Sequence, residues 1–123
     1  MEYVLVGIGG VFGALTRYSV SKWVGQRWPG SFPLATFGIN ITGSFILGLL
    51  YILLFGAGGE LLKLKHLITT GFLGAYTTYS TFSYEILNLI RDGEWGTAVK
   101  YFSASIVLGL TVAYAGIFLA EHL

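Results

Sequence analysis

The sequence predicts an all-α membrane protein of four transmembrane helices, the third broken near its middle. Three observations carry that prediction. Only 11% of the 123 residues are charged, against about 25% in soluble domains, and mean hydropathy is +0.73. Long stretches carry no Asp, Glu, Lys or Arg: Trp28 to Gly59, His66 to Tyr84 and Tyr101 to Ala120. Third, from Tyr76 to Tyr84 eight of nine side chains bear a hydroxyl, a density foreign to an ordinary span.

A membrane helix needs about 20 mainly apolar residues. Spans of roughly 3–24, 33–55, 63–91 and 96–120 meet that length and make up one domain, 1–123. Span 1 carries Arg17. An intramembrane charge costs about 2.5–3.5 kcal/mol on insertion scales. Arg17 lies close enough to the span end to snorkel to the interface, or it faces a vestibule and attracts anions. QRWPGSFP then marks a connection. In span 2, Thr36, Asn40 and Ser44 recur every four residues and share one face. GAGGE separates spans 2 and 3, and RDGEWG separates spans 3 and 4. In span 4, Thr97, Tyr101, Ser105 and Gly109 repeat the four-residue spacing. Such stripes must face protein or water, because lipid leaves polar groups unpaired. They read either as interhelical glue or as the lining of a polar path. Gly9 with Gly13, and Ser44 with Gly48, are small-residue pairs suited to close helix packing.

Span 3 is the informative one. Gly71 and Gly74 precede the hydroxyl run. Gly costs about 1 kcal/mol inside a helix and Thr is also a poor helix former. In a continuous helix the hydroxyls would bond back to preceding carbonyls. Two glycines beside such hydroxyl density favour a break between Gly74 and Ser80, which is tolerated where the backbone is buried in protein or lines a cavity. Glu85 follows, an acid to be paired with Arg17 or a lysine.

Charge and composition limit the rest. Cysteine is absent, so thiol chemistry is excluded. Glu2 comes first and Arg17 late, unlike a cleavable signal peptide. The net charge of +1 gives no basis for a nucleic-acid partner. Lys63 and Lys65 lie on one side, and Lys22, Arg27, Arg91 and Lys100 on the other. That weak excess leaves a fixed topology and insertion either way round both open. Glu85 and His66 form the one obvious acid–base pair, with no nucleophile–base motif beside them, so no catalytic residue is assigned. A small multidrug transporter also has four spans, but depends on an acid within span 1, and none occurs between Tyr3 and Val24. A small four-helix membrane transporter of another class, or a non-transporting membrane scaffold subunit, remains the alternative.

GFLGAYTTYSTF, residues 71–82, resembles the signature of the Fluc-type (CrcB) fluoride channel family. The resemblance extends over nearly the whole chain. GGVFGALTRY in span 1 has an Arg where the family has one, and FGINITGSFILG matches the family's T-x-x-x-N-x-x-G at Thr36, Asn40 and Gly43. It implies an antiparallel dual-topology homodimer in a cell inner or plasma membrane, passively exporting cytoplasmic fluoride. It also implies a structural Na+ at the dimer centre, on the backbone carbonyls of Gly74 and Thr77. The implied pore set is Thr36, Asn40, Tyr79, Ser80, Phe82, Tyr101 and Ser105, with Arg17 in the vestibule. Three positions depart from the family's usual residues. Tyr79 stands where relatives have Phe, Ala75 replaces a common Gly, and Gly109 takes the place of a frequent hydroxyl. A track of neutral donors suits a small, strongly hydrated anion, since conduction needs binding strong enough to enter and weak enough to leave.

Overall fold

A computed structural model describes residues 1–56 and 58–123 and is helical throughout. Ala57, in the GAGGE connection, lies outside the described residues. The elements are α1 (Glu2–Gly25), α2 (Leu34–Leu53), α3 (Glu60–Leu64), a π-helical segment (Lys65–Leu73), α4 (Gly74–Tyr76), α5 (Tyr79–Arg91) and α6 (Trp95–Glu121). Among the described residues, α1, α2 and α6 are the helices long and apolar enough to cross a membrane.

Local chemistry sets the ends. Glu2 in the first turn of α1 and Lys22 in its last both complement the helix dipole. Arg27 follows, its guanidinium 4.3 Å from the centre of the Trp23 ring. The end of α5 is a Schellman turn. The Glu94 N–H donates to the Leu89 carbonyl at 2.8 Å and the Gly93 N–H to that of Ile90 at 3.0 Å. This turn needs a residue with positive φ, and Gly93 supplies it at +78°.

α1 packs mainly on the π segment and α4, α2 mainly on α6, and α5 on α6. Glycines permit the closest of these approaches. A Cβ at Gly9 would strike the Leu67 carbonyl, and one at Gly13 the Phe72 carbonyl. Across the other pair, a Cβ at Gly48 would strike the Ala113 carbonyl and one at Gly116 the Phe45 carbonyl. Backbones meet directly, as membrane packing without a hydrophobic driving force favours. Gly13→Ala should therefore cost about 1–3 kcal/mol through overpacking and lower the melting temperature in detergent. Gly7→Ala, with open space around it, is the control. Equal melting temperatures for the two variants would refute this account of the contact.

Buried side chains are few. Phe82, Leu89, Ala98 and Tyr101 form a cluster, joined by Phe32, Phe37, Ile86 and Ile90. Large apolar residues such as Phe12, Leu15, Val107 and Leu110 are exposed along the long helices, as befits a chain solvated by lipid or by another protein.

Between α4 and α5 the chain leaves helical geometry for two residues. Thr77 has φ −80° and ψ 153°, and Thr78 has φ −148° and ψ 121°. Thr78 then caps α5, its side chain accepting from the Thr81 N–H as an N-cap does.

Candidate anion path at the interrupted helix

Four hydrogen bonds hold the interrupted stretch in place. Asn40 of α2 meets the Thr78 backbone twice: Oδ1 accepts from the Thr78 N–H at 3.0 Å, and Nδ2 donates to the Thr78 carbonyl at 3.2 Å. Arg17 of α1 donates from Nε to the Ala75 carbonyl at 3.1 Å. Thr78 Oγ1 receives the Thr81 N–H at 3.2 Å. Gly43 lets α2 come close, because a Cβ there would strike Thr77 Cγ2.

These bonds redirect backbone donors. In an α-helix the Gly74 carbonyl would accept from the Thr78 N–H, and the Thr77 carbonyl from the Thr81 N–H. Here the first donor goes to Asn40 and the second to the Thr78 hydroxyl. The two carbonyls thereby lose their helical partners, and oxygen ligands of this kind fit a hard cation. Among the described residues no group of three or more His, Cys, Asp or Glu gathers for a metal. A cation at this place would therefore rest on backbone oxygens.

Beside the interruption lies a cavity of about 360 Å³. Asn40 and Ser44 line it from α2, Thr69 from the π segment, Gly74, Thr77, Thr78, Tyr79 and Phe82 from the interrupted stretch, and Ser105 from α6. No Lys or Arg is among its lining residues. Two buried hydroxyls of these residues, Thr69 Oγ1 and Ser105 Oγ, have no hydrogen-bond partner. Buried polar atoms are nearly always paired, so two orphans among the lining residues point to a polar guest. Asn40 retains its second amide hydrogen, since one suffices for Thr78.

A second cavity, about 510 Å³, opens where α1 ends, α2 begins and α5 turns into α6. Thr36, Thr81, Glu85 and Asn88 are on its wall. The Phe82 and Tyr101 rings, 5.0 Å apart and edge-on, stand between elements of the two cavities. Tyr101 is wholly buried, and its hydroxyl donates to Glu85 Oε1 at 3.0 Å. The buried Thr36 hydroxyl lies beside the same pair.

The sequence-derived site residues thus fall into three groups. Asn40, Gly74, Thr77, Tyr79, Phe82 and Ser105 come together around the first cavity. Thr36 and Tyr101 belong with Glu85. Ser80 is exposed at the start of α5, 3.4 Å from Thr78 Oγ1. The expected pairing of Glu85 is revised. Glu85 bonds Tyr101 instead of Arg17 or a lysine, because α5 packs on α6. Arg17 spends a donor on the α4 backbone, because the close contact of α1 with the π segment carries it there. His66 lies 3.5 Å from Glu2 and not beside Glu85, which bonds Tyr101. Sequence reading passed over Thr69. Its spacing of eight from Thr77, two repeats of one helix face, was the available signal.

Comparison with known proteins places the chain among relatives. A family described as "CrcB-like protein, Camphor Resistance (CrcB)" matches residues 4–117. The fluoride-specific ion channel FluC of Acidobacterium capsulatum is 44% identical over 124 residues, covering 100% of this chain and 98% of that one. FluC 2 of Moorella thermoacetica is 44% identical over 116 residues, 94% of this chain and 93% of its own. FluC 1 of Carboxydothermus hydrogenoformans is 43% identical over 122 residues, 98% and 94%. A match that runs through all the long helices and the interrupted stretch alike places the chain in the CrcB family.

Proposed function

We propose that the chain is a passive, fluoride-selective channel that lets cytoplasmic fluoride leave across the inner or plasma membrane. The observation that carries this reading is the cavity lined by neutral donors, with two orphan hydroxyls among its lining residues, in a family whose relatives bear fluoride-channel names. Fluoride is a compact acceptor that must exchange its water for donors. Asn40 and Ser105 offer an amide and a hydroxyl, and the Tyr79 and Phe82 rings offer positive edges. Without a lysine on the wall, the anion is not held too tightly to leave. No enzymatic step enters.

The proposed assembly is an antiparallel homodimer of four-pass subunits, with α3 to α5 as one interrupted crossing. Thr70, Gly74, Tyr79 and Ser80 are exposed on the isolated chain. Polar backbone and hydroxyls in mid-membrane need cover other than lipid, and a second copy supplies it. Gly74 and Thr77 of each subunit would hold the structural Na+, which offsets repulsion along an anion path and is not itself transported.

Purified protein in liposomes loaded with fluoride should empty them when the membrane potential is released, and chloride-loaded liposomes should stay full. Absence of fluoride efflux, or equal chloride efflux, would remove the proposal and favour the scaffold reading.

A further inference from the structure

The π-helical segment has a consequence for one side chain. Threonine hydroxyls inside α-helices usually bond back to the carbonyl four residues earlier. Thr16, Thr42 and Thr111 do so here, to Phe12, Gly38 and Val107 at 2.7, 2.7 and 2.6 Å. Thr77 does the same to Leu73 at 2.9 Å. A donor satisfied in this way has nothing left for a solute. Thr69 is different. It sits in the nine-residue π segment, where the ladder runs i→i+5 and the fourth carbonyl back no longer lies under the side chain. Its Oγ1 is buried and unpartnered, and the residue is one of those lining the cavity.

The segment is held in that form by its neighbours. Gly9 and Gly13 of α1 receive the Leu67 and Phe72 carbonyls, and a Cβ at Gly71 would come within 2.7 Å of the Val6 carbonyl. π-Helical turns are rare and gather at functional sites. The α6 row of Tyr101 and Ser105 reaches Gly109, which has no side chain to continue it. Thr69 carries a hydroxyl on the π segment.

We infer that Thr69 is an anion-contacting donor of the pore, and that the π-helical segment serves to free its hydroxyl for a small, strongly accepting anion. The inference rests on the channel reading above. It assigns the anion a contact on the π segment, in the cavity that Ser105 of α6 also lines.

The test uses full-length protein in liposomes and the melting temperature of the same samples in detergent. Thr69→Val keeps the shape and removes the donor, and Thr69→Ser restores a donor. Fluoride efflux should fall roughly tenfold in Thr69→Val, the scale of a lost hydrogen bond to a charged group. It should stay within about twofold of wild type in Thr69→Ser. The melting temperature of Thr69→Val should hold or rise, because an unpaired buried hydroxyl has been replaced by a methyl. Wild-type efflux in Thr69→Val overturns the inference and leaves the channel intact. Loss of efflux together with a lower melting temperature, or equal loss in Thr69→Ser, also overturns it by showing a structural role. A wild-type protein that releases no fluoride overturns both readings.

Discussion

Asn40→Asp should lower fluoride efflux on the order of 100-fold, or about 2.7 kcal/mol of barrier. Two effects act in the same direction. The carboxylate still accepts from the Thr78 N–H, but its other oxygen replaces the amide that donates to the Thr78 carbonyl. An attraction at 3.2 Å becomes a repulsion between two acceptors, and the extended pair Thr77–Thr78 loses one of its clamps. The charge also faces the cavity that Asn40 lines. Two unit charges 4 Å apart interact by about 4 kcal/mol at an effective dielectric of 20, enough to exclude an anion. Liposome efflux is the measurement. Efflux within about twofold of wild type would take Asn40 out of the path and leave it as a backbone clamp alone.

Parts of this architecture are plain in the sequence, and the reason is physical. Charge-free apolar runs over most of α1, α2 and α6 have one stable solution in lipid, a helix that satisfies its own backbone. The glycines at 9, 13 and 48 mark close contact because only a missing side chain admits a neighbouring carbonyl. Partner identity is another matter. Arg17 and Ala75 are far apart in sequence, as are Glu85 and Tyr101, and only helix packing decides that these pairs meet. The π-helical segment has no local signature either. KHLITTGFL holds ordinary helix-compatible residues, and the close fit against α1 is a tertiary property. Thr69 was overlooked for that reason: as an α-helical threonine it would have spent its hydroxyl on its own backbone.

The same reasoning divides the two tasks of Asn40. Sequence periodicity puts it on a polar stripe with Thr36 and Ser44, and a stripe implies a lining. The structure adds that its amide first organises the interruption and has one hydrogen left over. Thr36, on the same stripe, lines the second cavity. It is buried beside Glu85 and Tyr101, one helical turn from the cavity that Asn40 and Ser44 line. A row of polar residues along one helix can therefore serve two cavities, Asn40 and Ser44 lining one and Thr36 the other.

The two signature aromatics should respond in opposite ways to truncation. Phe82 is only 6% exposed and packs edge-on against Tyr101 at 5.0 Å and stacked on Phe102 at 6.2 Å. Phe82→Ala should cost about 3–5 kcal/mol of stability, so lost efflux in that variant would carry no information about the anion. Tyr79 is 80% exposed on the single chain, and its ring lies on the cavity wall beside Phe82, 6.1 Å away between centroids. Tyr79→Ala should keep its melting temperature while efflux falls. Replacing Phe82 with Leu or Met preserves most of the volume and should cost less than about 1.5 kcal/mol, which isolates the ring's contribution from its packing. Tyr79→Phe tests the hydroxyl alone. If the positive ring edge is what meets fluoride, Tyr79→Phe should conduct like the wild type, and Phe82→Leu should fold normally and conduct poorly. Full efflux in both Tyr79→Ala and Phe82→Leu would end the aromatic-edge account and leave the hydroxyls and the Asn40 amide to carry the anion. Melting curves and efflux from the same preparations separate these outcomes.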